Sequence, residues 1–280
     1  RIIVIPDDFL AQFNFGTLLC KKVEGDRPDY RNLPYLTRQF QLSYAYAADF
    51  IDPVLFSSDD ATGFAGFAPS YAGNQFEKLD TALHPMAHLV VRNGNLPLPG
   101  AGEEVRLISQ LMNGDSWLDL DATETNFKLH AAEYGVLHLA MHSLLNNDDP
   151  HYSELLFNHE RDTLNDGYLN VAEIYNLKLN ASLVVLSACS SGFGKIQKGE
   201  GPISISRAFS FAGCPSVVMS LWKIPDAVTV SIMEAFYQEL KNGKEKDEAL
   251  RAAQMKFVSE NQDPLYQHPY FWAGFVVMGD

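Results

Sequence analysis

Two residues capable of nucleophilic chemistry, Cys189 and His142, each follow a short apolar run. Residues 136–143 read VLHLAMHS, and residues 183–194 read LVVLSACSSGFG. A cysteine thiolate is a strong nucleophile, and a nearby imidazole both lowers the thiol pKa and can protonate a leaving amine. Backbone N–H groups in the glycine-rich stretch after Cys189 can stabilise an oxyanion. The pair therefore favours acyl transfer over the alternative, a core cysteine with a core histidine.

The elements that must position this pair alternate between strands and helices. Apolar runs at 135–141, 183–189 and 215–222 are typical of strands buried on both faces of a parallel sheet. Helical patterns occur at 100–112, 123–134, 203–213, 227–243 and 246–260. The alternation predicts an α/β fold with a mostly parallel sheet and helices on both faces. In such sheets sites form at the carboxyl ends of strands, where His142 and Cys189 stand.

The first hundred residues are less regular. They predict strands at 1–13 and 15–20, a helix over 35–48, and an irregular stretch over 52–100 with short strands near 63–69 and 88–91. We therefore divide the chain into an N-terminal part, 1–99, and a core, 100–280. The chain starts with Arg1 rather than Met, which predicts a longer protein with a region upstream.

Composition excludes several classes of function. The net charge is −14, and the basic cluster at 241–251 is interleaved with acids, so no nucleic-acid partner is expected. Apolar runs are shorter than the roughly twenty residues that cross a bilayer, so no membrane association is expected. Three scattered cysteines do not form a disulfide framework and predict a cytoplasmic location, with Cys20 and Cys214 in the core.

Several motifs resemble cofactor sites only superficially. His138 and His142 are four residues apart, but they lack the glutamate and third ligand of a zinc site. Residues 162–173 place acids at some positions of a calcium loop, but Leu164 occupies a ligand position, so a hairpin turn is favoured. The glycine-rich stretch at 194–201 does not match a phosphate loop, and the one at 100–105 does not match a dinucleotide fingerprint. We therefore expect no metal and no cofactor.

A family resemblance follows from the longer motifs LHLAMHS, LVVLSACSSGFGKIQKGEG, SRAFSFAGCPSVVMSLWKIPD and HPYFWAGFVVMGD. Together they resemble the CHAT domain, the caspase- and separase-like cysteine peptidases that often accompany tetratricopeptide repeats in bacteria. The resemblance covers most of the chain and is strongest over 100–280. His142 precedes Cys189 by 47 residues (189 − 142), close to the caspase spacing of about fifty. The family resemblance implies a caspase-like fold.

The resemblance also assigns roles to individual residues. It makes Cys189 the nucleophile and His142 the general acid/base. His138 matches a position that supports the site, with a structural rather than a catalytic role. The backbone N–H groups of Cys189 and Ser143 would bind the oxyanion. The family usually has glycine at position 143, so the serine must avoid a glycine-only backbone conformation.

Substrate preference is implied by three further positions, Ser187, Trp222 and Asp226. Relatives that cut after basic residues have an aspartate at the position of Ser187, so the serine does not support a basic preference. Trp222 and Asp226 lie in the segment that walls the pocket for the residue before the cut. Asp226 favours either a basic side chain there or, more simply, a helix N-cap. A small or apolar preference stays open.

The predicted function is a cysteine endopeptidase that cleaves a protein substrate and is regulated by an attached sensor module in bacterial cell death or defence. The resemblance implies partners: a protein or peptide substrate, and an upstream tetratricopeptide-repeat region or another regulatory partner. The alternative is an inactive caspase-like interaction scaffold, which Ser143 favours. A third alternative is an α/β domain that binds a nucleotide or another small ligand at the same strand ends.

Overall fold

A computed structural model describes residues 1–24, 28–48, 61–71, 98–146, 149–187, 195–197, 201–203 and 205–279. Within these residues, eight strands form the main sheet. In chain order they are β1 (Ile2–Val4), β2 (Leu42–Tyr44), β3 (Phe64–Pro69), β4 (Asp115–Asp119), β5 (Val136–Leu139), β9 (Leu183–Leu186), β12 (Ser216–Ser220) and β13 (Phe275–Gly279). Strands β6–β8, β10 and β11 belong to two smaller sheets described below.

The sheet is mostly parallel, as predicted. Its spatial order is β1-β2-β13-β12-β9-β5-β3-β4. Neighbours pair in parallel except for β12 and β13, which run antiparallel. Three helices lie between β12 and β13 along the chain, the last of them a short helix at 269–272 directly before the last strand. The neighbouring β5 and β9 occupy the middle of the sheet.

Seven α-helices lie within the described residues. They are α1 (Pro99–Met112), α2 (Glu124–His130), α3 (Val171–Ile174), α4 (Ile205–Phe211), α5 (Asp226–Lys241), α6 (Lys246–Glu260) and α7 (Pro269–Trp272). Local sequence defines several ends. Thr123 caps α2 by accepting from the N–H of Asn126, and Gly213 follows α4 with a positive φ of 109°.

Helices cover both faces of the sheet, which buries β9 and β12 at every position. Leu137, Leu139 and Val184 point to one face, where α2, α3 and α4 contribute Phe127, Ile174 and Phe209. Val185 and Val218 point to the other, which α1, α5 and α6 cover. Strands buried on both faces need apolar residues at every position, which explains their uninterrupted apolar runs.

Two small sheets are attached to this core. β6 (Ser143–Leu144), β7 (Glu154–Leu156) and β8 (Tyr168–Asn170) form an antiparallel sheet, and the β7–β8 pairing confirms the predicted hairpin. β10 (Lys195–Gln197) and β11 (Gly201–Ile203) pair antiparallel in the segment that follows Cys189. Both small sheets therefore follow directly from the strands that lead to the two candidate residues.

The N-terminal part differs from its prediction. The expected helix over 35–48 is a 3₁₀ turn at Leu36–Arg38 followed by β2, and the expected strand at 15–20 is a 3₁₀ turn at Phe15–Thr17. Pairing of β2 with β13 overrides the weak local helical pattern. The predicted strand at 63–69 is confirmed as β3, whereas the one at 88–91 lies outside the described residues.

Candidate active site

The strands that lead to His142 and Cys189 are direct neighbours in register. β5 pairs in parallel with β9 so that Leu139 lies opposite Leu186, and the N–H of Ser187 donates to the carbonyl of Leu139 at 3.0 Å. His142 follows Leu139 by three positions, and Cys189 follows Leu186 by three positions. The two chain segments therefore leave the sheet side by side at its carboxyl edge. Cys189 itself lies outside the described residues.

His142 is held by its backbone next to Tyr71. Its N–H donates to the hydroxyl oxygen of Tyr71 at 3.0 Å, and that hydroxyl donates to the carbonyl of Leu156 at 2.7 Å. The N–H of Leu156 closes the circuit by donating to the carbonyl of His142 at 3.0 Å. The imidazole lies 4.8 Å from the Tyr71 ring, and the residue is 6% exposed. β5 ends at Leu139, so His142 stands in the connection to β6 rather than directly at the strand end.

Ser143 adopts a backbone conformation open to any residue. Among the described residues, positive φ angles outside glycine occur at Asn113 and Asp119. Ser143 begins β6 opposite Leu155, and the bond between Leu156 and His142 makes this a non-hydrogen-bonded pair. The N–H of Ser143 therefore points away from β7. A serine at position 143 is therefore compatible with the backbone, which does not adopt a glycine-only conformation there.

His138 lies in the middle of β5, fully buried, between two polar partners. Its Nδ1 is 3.0 Å from the Tyr237 hydroxyl, and its Nε2 is 3.1 Å from Glu104 Oε1. Burial raises the pKa of Tyr237 well above its ordinary value, and the nearby Glu104 acts in the same direction, so the phenol keeps its proton. Nδ1 shares a hydrogen bond with this hydroxyl, and Nε2 faces Glu104. That contact is electrostatic rather than a straight hydrogen bond.

Glu104 is a site residue that sequence reasoning missed. It lies on α1, is 3% exposed, and accepts a 2.7 Å hydrogen bond from the Ser187 hydroxyl through the same Oε1 that faces His138. The sequence does contain a feature that could have identified Glu104. Ala101, Val105 and Ile108 form the apolar stripe of α1, and Glu104 interrupts that stripe with a charge. A carboxylate on the buried face of a helix requires a partner or a function.

These residues border a small cleft between the start of α1 and the start of α5, which we call the Glu104 cleft. Its polar lining consists of Glu104, Ser187, Ser220, Asp226 and Thr229. Two of the three predicted substrate-binding residues, Ser187 and Asp226, are thus brought together. The third, Trp222, donates its indole N–H to the Tyr270 carbonyl at 2.7 Å and is not among the cleft's described lining.

Asp226 does not cap a helix, contrary to the simpler of its two predicted roles. Pro225 occupies the N-cap position of α5, and Asp226 is the first helical residue. None of the described residues donates a hydrogen bond to its carboxylate. Gly100 packs against it so closely that a Cβ there would lie 3.2 Å from the Asp226 Cβ, which brings the two helix starts together at the cleft.

The calcium-like segment at 162–173 is tied down by protein groups. Asp162 accepts from the N–H and hydroxyl of Thr125, at 2.9 and 2.6 Å, and from the N–H of Asn165 at 3.0 Å. The Lys128 ammonium lies 2.9 Å from Glu173 and 2.5 Å from the buried Glu124. An ammonium group thus supplies the positive charge beside these acids, in keeping with the predicted hairpin turn.

Three further expectations can be compared with the described part of the chain. It contains no cluster of three or more residues able to hold a metal ion. Across the same residues, no helix combines the length and apolarity needed to cross a membrane. Cys214 is buried as expected. Cys20 is exposed, contrary to the prediction that it lies in the core; its backbone N–H donates a hydrogen bond to the Pro34 carbonyl.

Comparison with known families places this geometry in context. The family model described as "CHAT domain" matches residues 1–280. Tetratricopeptide repeat protein 28 of Homo sapiens is 28% identical over 214 residues, and that of Mus musculus is 27% identical over the same length. Each match covers 65% of this chain, but the chain spans only 8% and 9% of those proteins.

Solved structures share the fold at low sequence identity. The Arg-specific cysteine proteinase gingipain R is 11% identical with a TM-score of 0.53, and the match covers 86% of this chain and 54% of that one. Saccharomyces cerevisiae separase, in a complex with securin, is 12% identical with a TM-score of 0.49, over 90% of this chain and 14% of that one. The likeness to gingipain R, with a TM-score above 0.5, therefore shows a caspase-like fold.

Proposed function

Since the chain belongs to the CHAT domain family, we propose that it is a cysteine endopeptidase in which Cys189 attacks the substrate and His142 carries the proton. The fold is the one that caspase-like cysteine peptidases use, which supports a peptidase in general. The proposal adds the two residues and the reaction.

One observation carries this proposal, the register of the two central strands. Leu139 and Leu186 are paired neighbours, and His142 and Cys189 each follow by three residues. Parallel neighbours deliver their following residues to the same edge of the sheet, so a nucleophile and a proton carrier on these segments start from adjacent positions. A core cysteine and histidine would need no such matched spacing.

The proposed reaction has two stages, acylation of Cys189 and hydrolysis of the resulting thioester. The Cys189 thiolate attacks the peptide carbonyl, and the negative charge that forms on the oxygen is stabilised by the backbone N–H groups of Ser143 and Cys189. The C–N bond then breaks as protonated His142 donates its proton to the leaving amine. Water, deprotonated by His142, hydrolyses the thioester, releasing the carboxylic acid and restoring the thiol. Tyr71 holds the His142 backbone throughout.

The test is a digest of a peptide library, followed by mass spectrometry. The chain is compared with its Cys189→Ala and His142→Ala variants, and Cys20→Ser is the matched control because that thiol is exposed but remote in the proposal. We expect cuts that vanish in both variants and persist in the control. Equal cutting by the Cys189→Ala variant would overturn the proposal.

Thiol labelling separates a latent enzyme from the inactive scaffold. Burial raises the pKa of Cys214 to about 12, so that thiol stays protonated and does not react with iodoacetamide at mildly acidic pH. In a Cys20→Ser background, Cys189 is then the one thiol able to react. Rapid labelling at Cys189 without cutting indicates a latent peptidase, whereas slow labelling that matches unfolded protein indicates the scaffold.

We further propose that a repeat region attached upstream controls the site. The named relatives are tetratricopeptide repeat proteins, and this chain matches less than a tenth of their length. The hairpin of β10 and β11, which follows Cys189, lies against the N-terminal 3₁₀ turn at Asp8–Gln12, so a module before Arg1 has a short path to it. A role in cell death or defence, and a cytoplasmic location, stay predictions from the resemblance.

A further inference from the structure

The two edges of the main sheet expose different kinds of side chain. Strand β1 lies at one end of the strand order and β4 at the other. The β4 edge carries the exposed carboxylates of Asp115 and Asp119, and charges on an edge strand oppose pairing with another chain. At the β1 edge stand Ile3 and Ile5, which are 38% and 48% exposed. An apolar open edge favours the addition of a further strand.

The backbone of β1 directs hydrogen-bonding groups away from its neighbour β2. In the parallel pairing of the two strands, the N–H of Ile2 donates to the carbonyl of Gln41 at 2.9 Å. The carbonyl of Val4 accepts from the N–H of Ala45 at the same distance, 2.9 Å. Each residue of a parallel strand directs both backbone groups to one side, and successive residues alternate sides. The N–H and the carbonyl of Ile3 therefore point to the open edge.

Exposed apolar side chains are concentrated in the same part of the chain. Among the described residues, nine of the fifteen large apolar side chains that are exposed lie between positions 3 and 40. They include Phe9 and Phe13, which follow β1, and Phe40, which lies just before β2. Large apolar side chains offer about 150–250 Å² each when fully exposed, so the nine present on the order of 700 Å². A stable interface buries about 800 Å² per partner, so this area is on the scale of a dimer contact.

The charge at the start of β1 is turned inward, which makes this edge compatible with a copy of itself. The guanidinium of Arg1 lies 2.7 Å from a carboxylate oxygen of Asp247, a buried residue of α6. Since side chains alternate along a strand, Arg1, Ile3 and Ile5 share the face next to α6. A two-fold axis at Ile3 would place Ile3 opposite itself and Arg1 opposite Ile5. No like charges of β1 would therefore meet, and the isoleucines of both copies would pack together.

We propose that two copies of this chain associate through β1, in antiparallel pairing about a two-fold axis at Ile3. In such a pair Ile3 exchanges both of its outward backbone hydrogen bonds with the same residue of the second copy. Pro6 has no N–H, so the paired region ends after Ile5 in each copy. The two main sheets become one continuous sheet, and the two-fold axis closes the assembly as a dimer. This inference is independent of the proposed peptidase function.

Sedimentation velocity at increasing protein concentration tests the association, with a reductant present because Cys20 is exposed. Ile3→Lys places like charges opposite each other across the axis. Ile3→Pro removes the outward N–H, whereas the bonds that Ile2 and Val4 make to β2 stay. Leu164→Lys is the matched control, because that leucine is 79% exposed and lies in the connection between β7 and β8. Urea unfolding verifies that each variant is folded, and Ile3→Lys decides the outcome if Ile3→Pro is not.

We expect the wild type and Leu164→Lys to shift from a monomer of 31.2 kDa to a dimer of twice that mass. The dissociation should have a Kd of about 1–100 µM, and both Ile3 variants should raise it at least about tenfold. A wild type that is still monomeric at about 0.5 mM overturns the inference and leaves the edge to a strand of another protein. A dimer unchanged in Ile3→Lys, or an assembly that grows beyond two copies, overturns it equally.

Hydrogen exchange locates the contact within the dimer. At concentrations where the dimer dominates, the amide of Ile3 should exchange at least about tenfold more slowly than in dilute protein. The amides of β4, at the opposite edge of the sheet, should exchange at the same rate in both. Protection of other segments without protection of Ile3 would assign the association to a different surface and would contradict the pairing through β1.

Discussion

At the residue scale, the buried His138 imidazole is held by contacts on both of its ring nitrogens. Nδ1 shares a hydrogen bond with the Tyr237 hydroxyl, Nε2 faces Glu104, and Glu104 in turn accepts from Ser187. Tyr237, His138 and Glu104 are all buried. Buried polar groups that lose one partner pay the desolvation cost of the group left behind, so the network behaves as a unit.

Replacing Tyr237 with phenylalanine tests that dependence. The Tyr237→Phe change should lower the free energy of unfolding by about 1–3 kcal/mol, because Nδ1 of a buried histidine loses its hydrogen-bond partner. Urea unfolding measures it. Tyr35→Phe is the matched control, since the buried Tyr35 hydroxyl has no described hydrogen-bond partner and its removal should be neutral or stabilising. Equal losses in both variants would contradict the network.

At the element scale, the site requires α1 to approach the sheet closely. Gly66 lies in β3 directly opposite His138 in β5. A Cβ at Gly66 would come within 2.6 Å of Val105 Cγ1, on the residue after Glu104. The missing side chain therefore lets α1 lie near enough for Glu104 to reach the neighbouring strand.

Adding a methyl group at Gly66 should push α1 outward. Gly66→Ala should lower the free energy of unfolding by about 1–3 kcal/mol through overpacking. Gly102→Ala is the control on the same helix, where a Cβ meets only the tip of Arg106 at 3.7 Å. That change should raise stability by up to about 1 kcal/mol. Thermal unfolding and calorimetry distinguish the two results.

The connection between β7 and β8 depends on Asp162 in a similar way. Burial alone would raise the pKa of Asp162, but hydrogen bonds from Thr125, Asn165 and Leu164 outweigh it and lower the pKa below its ordinary value. A carboxyl with a lowered folded-state pKa stabilises the fold above its unfolded pKa. The stabilisation is lost as the pH falls through the lower, folded-state pKa.

Asp162→Asn should therefore cost roughly 1–2 kcal/mol of unfolding free energy at pH 7. The gap between variant and wild type should narrow as the pH is lowered from about 5 to below the ordinary aspartate pKa of about 3.9, because the wild type loses its charged acceptor. Urea unfolding at several pH values measures the gap. A constant gap across that range would contradict the argument, and the exposed Asp121→Asn is the control.

At the scale of the whole molecule, the two predicted parts of the chain form one sheet. β3, from the N-terminal part, lies between β4 and β5 of the core. The C-terminal strand β13 pairs with β2, again joining the two parts. Phe64 and Phe67 of β3 are fully buried, one on each face, so both layers of the core include the first hundred residues.

Residues 100–280 should accordingly fail to fold by themselves. Without β3, the strand that leads to His142 loses its neighbour on one side, and two buried phenylalanines leave the core. We expect no cooperative urea transition for 100–280 and its recovery when 1–99 is supplied as a separate chain. A cooperative transition in 100–280 alone would show that the division at 99 marks a true domain boundary.

The sequence alone determined what depends on local pattern. Uninterrupted apolar runs identified the buried strands β5, β9 and β12, and helical periodicity identified α1, α5 and α6. That His142 and Cys189 meet at one edge of the sheet stays a prediction, because Cys189 lies outside the described residues. Each of these features is written in neighbouring residues, because strand and helix periods are short.

Only the tertiary structure decided which distant residues share the site. Glu104 meets Ser187 across 83 residues, His138 meets Tyr237 across 99, and β2 became a strand rather than a helix through its pairing with β13. Asp226, which local pattern favoured as a helix cap, became free of that role because Pro225 took it. Such contacts are set by packing of the sheet against α1 and α5, and no short sequence period encodes them.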